Sequence, residues 1–247
     1  MIVDIHSHFG DPWYAYWKKM VTAEEHLVSM DKYGIDKRCL SWQNPHHAPD
    51  EGNLKVAEVV KKYPDRFLGF AVINPRWYGD AVEEAIKAKD DLGMVGLKFH
   101  PGTCQFHADS PCLDRVMEKG VELGFPMLFH CGLDEYSHPR NLGNLAARFP
   151  EATIIMAHMG GLAWFEAIAI AGKYKNIILD TTASSNWYRI MNYAIETVGE
   201  ERIVFGMDFP SMNPAPEIAK VKEADITEKQ KEKIFSENAA RILGLKR

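Results

Sequence analysis

Short apolar runs alternate along this chain with longer stretches in which apolar positions recur at helical spacing. The runs predict strands at 2–6, 38–42, 67–72, 95–99, 126–129, 153–157, 177–180 and 203–205. The longer stretches predict helices at 23–33, 53–63, 80–91, 111–123, 141–149, 162–171 and 187–198. A last helical region, 217–243, should break near 224–227, where Thr227 can cap a second helix. Strands that alternate with helices predict a parallel sheet, and eight such pairs predict a (β/α)8 TIM barrel filling residues 1–247 as a single domain. A doubly wound open sheet would carry a glycine-rich phosphate loop after its first strand; here that position carries histidines.

Composition narrows the setting. The chain has 247 residues, 46% of them hydrophobic and 26% charged, enough for one large core. Its net charge of -5 argues against nucleic acid or an acidic membrane as partner, because both need a concentrated basic face. The chain shows no signal-like start and no apolar run of about 18 residues, so a soluble cytoplasmic protein acting on a small molecule is expected. Cys39, Cys104, Cys112 and Cys131 are too sparse for a disulfide framework and read as reduced thiols.

In a barrel of this kind the chemistry stands at the C-terminal ends of the strands. His6 and His8 end the first strand, Lys98 and His100 the fourth, His130 the fifth, His158 the sixth, Asp180 the seventh and Asp208 the eighth. Alternation along a strand puts His6 and His8 on one face, where they can grip one ion together. One such histidine alone would read as a structural residue. Several imidazoles with a carboxylate on one rim make a ligand set for zinc, and also for manganese, iron or cobalt. His26, His46, His47, His107 and His138 fall in helices or loops and read as surface residues.

Four stretches then carry a family resemblance: DIHSHFG at 4–10, GLKFHP at 96–101, AHMGG at 157–161 and FGMDFP at 205–210. With the closing SENAARILGL, they resemble the amidohydrolase superfamily, and within it the amidohydrolase-2 branch that includes relatives of aminocarboxymuconate semialdehyde decarboxylase. The HxH element alone is shared with TatD nucleases and PHP phosphoesterases; its combination with AHMGG and a strand-eight aspartate is specific. The resemblance implies a distorted (β/α)8 barrel with a catalytic metal at its mouth. It implies that His6, His8, His130 and Asp208 hold the metal, that Asp208 also handles a proton, and that His158 stands beside the metal-bound water. Lys98 has three readings: a carbamylated bridge between two ions, as in binuclear members; a contact to substrate or an internal carboxylate beside a single ion; or an ordinary buried ion pair. The single divalent ion is preferred here, zinc first and manganese as the alternative.

The activity expected from these residues is hydrolysis. A metal-bound water, acidified from about 15.7 towards 7, would attack a lactone, amide or ester carbonyl, with Asp208 and His158 as catalytic groups. The runner-up is metal-dependent decarboxylation of an aromatic or dienoic acid, for which Arg76 or Arg140 could hold the carboxylate; each taken alone reads more readily as a surface salt bridge. A third reading is a metal-stabilised binding protein without turnover. Substrate contacts are assigned to Lys98, His100, Arg76 and Trp13. The cluster Trp13, Tyr14, Tyr16 and Trp17 lies in the loop after the first strand, where it could wall a pocket or pack against a second copy in a homodimer.

Overall fold

The computed structural model describes residues 1–10, 20–46, 48–76, 79–183 and 189–245. Its strands are β1 (Val3–Phe9), β2 (Lys37–Trp42), β3 (Phe67–Val72), β4 (Gly96–Phe99), β5 (Met127–Phe129), β6 (Ile154–Met156), β7 (Ile177–Asp180) and β8 (Ile203–Val204). They pair in parallel and in sequence order. The ring closes through a parallel bridge from Ser7 to Phe209 and through Ile5 N–H, which donates to the Phe205 carbonyl at 3.0 Å. The predicted (β/α)8 barrel is the observed fold.

Helices α1 (Ala23–Tyr33), α2 (Pro49–Lys62), α3 (Ala81–Asp90), the single turn α4 (Pro101–Cys104), α5 (Asp114–Glu122), α6 (Pro139–Arg148), α7 (Trp164–Lys173), α8 (Ile190–Val198) and α9 (Pro214–Lys222) follow the strands. The predicted last helix divides into α9, α10 (Glu228–Glu232), a π turn (Lys233–Glu237) and α11 (Asn238–Ile242). Thr227 caps α10 as expected, in a reciprocal box with Gln230 that satisfies two end groups at once. No helix among the described residues is long and apolar enough to cross a membrane.

Two apolar layers hold the barrel. The larger lies between sheet and helices and includes Phe9, Leu40, Phe67, Leu97, Phe129 and Phe205. The smaller fills the barrel itself, with Val3, Ile5, Cys39, Phe70, Leu128, Ile155, Ile178 and Val204. Strict alternation from Val3 and Ile5 would send His6 and His8 outward into the helical layer. A bulge prevents this: Asp4 pairs with Arg38 and Ser7 with Leu40, so Ile5 and His6 together oppose Cys39. After the bulge His6 and His8 face the barrel axis, while Ser7 and Phe9 turn outward beside Asp4.

His26 corrects one expectation. It is wholly buried behind β1, against Arg38, Phe9, Phe67 and Phe209, and not on the surface. Its place on the inner stripe of α1 puts it there. His46 and His107 are exposed as expected, and His138 caps α6 from a half-buried position. His47 lies outside the described residues.

Candidate active site

At the C-terminal mouth, His6, His8 and Asp208 each offer a donor atom, all within 4.8 Å of one another. A second group, His6, His158 and Asp180, meets the same limit. Each imidazole is fixed from behind. His6 Nδ1 lies 2.7 Å from Asp180 Oδ2, and His8 Nδ1 lies 3.1 Å from Ser41 Oγ. His158 Nδ1 donates to the Thr182 carbonyl at 3.1 Å. With both rings neutral, His158 Nε2 must then accept from His130 Nδ1 at 3.1 Å, which leaves the His130 Nε2 lone pair available to a metal. His130 also stacks on His100, with ring centres 4.0 Å apart, and falls outside both three-residue groups. His100 Nδ1 accepts from Thr103 N–H, capping α4.

Backbone and packing bring these groups close. Asp208 and His158 both adopt left-handed backbone, at φ 50° and 62°, an unusual state for side-chain-bearing residues that concentrates at functional sites. Gly206 carries no Cβ because one would stand 2.1 Å from Thr182 Oγ1 and 2.5 Å from Asp180 Oδ1. That gap lets β7 and β8 approach where Asp180 meets His6.

Burial sets the charges. It holds the imidazoles of His6, His100 and His130 well below the usual histidine range, with neighbouring cationic groups adding to it. His158 is drawn to about 4, mainly by burial and against the charge of Asp208. Burial would raise Asp208, but its hydrogen bond to His8 and the charges of His8, His158 and Lys98 leave it below the ordinary carboxylate value. Burial lifts Asp180 to about 7 and draws Lys98 down to about 8. Neutral imidazoles beside an ionised carboxylate are the protonation states a divalent ion requires, so the residues fit such an ion.

His8, Lys98, His100, His130, His158 and Asp208 line one cavity, together with Trp42, Gln43 and Pro45. A larger cavity of about 340 Å³ between α8 and α9 contains none of these strand-end groups, and the chemistry places the site in the smaller one. Arg76 is exposed and donates to the Gln105 carbonyl at 2.5 Å; it does not line the site cavity. Arg140 is paired with Glu166 on the surface, the salt-bridge reading. Trp13, Tyr14, Tyr16 and Trp17 lie outside the described residues. Sequence reasoning passed over Ser41, Trp42 and Gln43, although their position at the C-terminal end of β2 was the signal that could have found them.

A (β/α)8 barrel with clustered imidazoles and an aspartate at its C-terminal mouth is an arrangement that metal-dependent enzymes use. The chain belongs to the amidohydrolase family, whose sequence profile matches residues 3–245. Among curated relatives, it is 26% identical to gamma-resorcylate decarboxylase of Rhizobium sp. (strain MTP-10005), over 96% of this chain and 91% of that protein. It is 23% identical to 2-amino-3-carboxymuconate-6-semialdehyde decarboxylase of Dictyostelium discoideum, over 83% of this chain and 69% of that one. The structure of a dihydroxybenzoic acid decarboxylase from Polaromonas sp. JS666, with bound manganese and 2-nitroresorcinol, superposes with a TM-score of 0.82 at 18% identity, covering 100% of this chain and 97% of that one. These comparisons overturn the expectation of a hydrolase, since these curated relatives are decarboxylases. The ligand set had no power to discriminate: the same imidazoles and aspartate serve either reaction, and the surrounding loops decide.

Proposed function

We propose that this protein is a metal-dependent, non-oxidative decarboxylase of a small aromatic or dienoic carboxylic acid, acting as one domain over residues 1–247. The observation that carries the reading is the near full-length match to gamma-resorcylate decarboxylase.

In this reading His6, His8, His130 and Asp208 hold one divalent ion, and manganese is tested ahead of the zinc first expected because the Polaromonas enzyme holds manganese. The ion supplies Lewis acidity towards the oxygens of the substrate. The chain's own groups must hold a carboxylate and move one proton. Among the described residues Lys98 is the cation lining the cavity, and with its ammonium drawn only to about 8 it is charged at neutral pH. It takes the carboxylate-holding role first considered for Arg76 and Arg140. Asp208, ionised at rest, accepts a proton from an acidic hydroxyl beside the reacting carbon and then delivers it to that carbon. The carbon–carbon bond breaks with its electron pair left on the substrate carbon, which takes the proton as carbon dioxide departs. His158, neutral and held by Thr182, keeps a fixed hydrogen-bonding edge toward the site. His100, stacked on His130, walls the cavity on the β4 side.

The test is carbon dioxide release by manganese-loaded protein from 2,6-dihydroxybenzoate, other hydroxybenzoates and a carboxymuconate semialdehyde, with chelator-treated protein as control. Metal-dependent release from one of them is expected. No release from any, by protein shown to hold metal, would defeat the reading.

A further inference from the structure

The sequence DIHSHFG places an aspartate two residues before the first histidine, and neither the ligand set nor the chemistry above uses it. Asp4 is wholly buried on the outer side of β1, with four donors on its carboxylate. Oδ1 accepts from His6 N–H at 3.2 Å and from Met207 N–H at 3.0 Å. Oδ2 accepts from Ser7 Oγ at 2.6 Å and from Arg38 Nε at 2.8 Å. Ser7 Oγ in turn accepts from Phe209 N–H at 3.2 Å. The backbone amides on either side of Asp208 are therefore fastened to Asp4 and Ser7, while Asp208 N–H itself donates to the His6 carbonyl at 2.7 Å.

Arg38, the buried counter-ion, reinforces the same place. Its Nη2 lies 3.5 Å from Met207 Sδ, and its guanidinium sits 4.6 Å from the Phe209 ring centre. Asp4, Ser7 and Arg38 are buried on the outer side of β1 and β2, away from the barrel axis, so they act on substrate or ion only through other residues. A carboxylate that served β1 alone would only stabilise the bulge. This one ties the bulged turn carrying His6 to the rim carrying Asp208, and so fixes the gap between donors that arrive from two ends of the chain.

We propose that Asp4 is a positioning residue for the metal centre, clamping the β1 bulge to the segment after β8 so that His6, His8 and Asp208 meet one ion. The inference rests on the reading of those three residues as metal ligands and is independent of the reaction they promote.

The experiment measures the manganese dissociation constant of the full-length wild type, Asp4→Asn and Ser7→Ala by chelator competition, at a temperature where circular dichroism shows each metal-free protein folded. The visible spectrum of each cobalt-loaded protein reports donor geometry. Asp4→Asn is expected to weaken manganese binding by about tenfold or more and to shift the cobalt bands, with Ser7→Ala moving both in the same direction by less. Lower melting temperatures with unchanged affinity and spectrum would mean a purely structural role and overturn the proposal. If Asp4→Asn does not fold, Ser7→Ala decides, because it leaves the Asp4 to Arg38 pair in place. A wild type that binds neither manganese nor cobalt would instead defeat the metal-ligand reading, and this inference with it.

Discussion

The ammonium of Lys98 lies 2.8 Å from Nε2 of His6, both side chains buried, on the lone pair that His6 would offer to a metal. One lone pair cannot serve both partners. In the proposed reaction Lys98 would therefore oppose the ion electrostatically while supplying a cation for the substrate carboxylate. Lys98→Met should tighten manganese binding several-fold while turnover falls by orders of magnitude. Titration of metal into stripped protein checks this, and loss of binding would instead favour the carbamylated-lysine reading with two ions.

Asp208 lies 3.0 Å from His8 Nε2 and is assigned both metal and proton roles. Asp208→Asn keeps the shape but removes the proton-accepting charge. Turnover should fall by about 10² to 10⁴ with the far-ultraviolet spectrum and melting profile nearly unchanged. Near-normal carbon dioxide release by this variant would remove Asp208 from the mechanism.

Asp180 holds His6 from behind at 2.7 Å, and its other oxygen accepts from Thr182 N–H and Oγ. Partners of this kind fix ring orientation and ligand basicity. Asp180→Asn should weaken manganese affinity by about 10 to 100-fold, whereas Thr182→Val, one step further out, should do so by less. Equal affinities across the three proteins would show that His6 needs no such support.

The metal-stripped protein should lose stability as pH falls from 7 to 5. His6, His8, His26, His100, His130 and His158 are all held below their ordinary value of 6.5, so the unfolded chain binds more protons than the native one below that point. Each fully shifted histidine contributes a slope of about 1.4 kcal/mol per pH unit. Asp180, raised to about 7, binds its proton in the folded state and opposes this, as do Asp4 and Glu217, whose carboxyls burial also raises. Chemical denaturation at stepped pH measures the balance, and stability that is flat or rising towards pH 5 would contradict it.

Gly52 in α2 faces the indole of Trp42, and a Cβ there would stand 2.2 Å from Trp42 Cγ. Gly52→Ala should destabilise by about 1–3 kcal/mol through overpacking. Adding Trp42→Leu should recover part of the loss, a coupling that a double-mutant cycle reads directly. Strict additivity would mean that the two do not press on one another.

The order and type of the elements were legible because hydrophobic spacing is local. The predicted strands at 67–72 and 177–180 and the helix at 23–33 coincide with β3, β7 and α1. The strand-end histidines and Asp208 were legible for a related reason: once a barrel is assigned, its topology sends every strand's C-terminal residue to one mouth. Local reasoning failed where an outcome depended on a partner strand. Alternation put His6 and His8 on a common face, but which face was decided by the extra residue between Asp4 and Ser7, visible only against the register of β2. His26 read as a surface residue until Arg38 of the next strand and Phe209, distant in sequence, enclosed it. The sequence by itself determined the barrel and the residues at its mouth. Only the tertiary structure decided which side chains turn inward and that Lys98, rather than Arg76 or Arg140, lines the site, because register and burial are set between strands rather than along them.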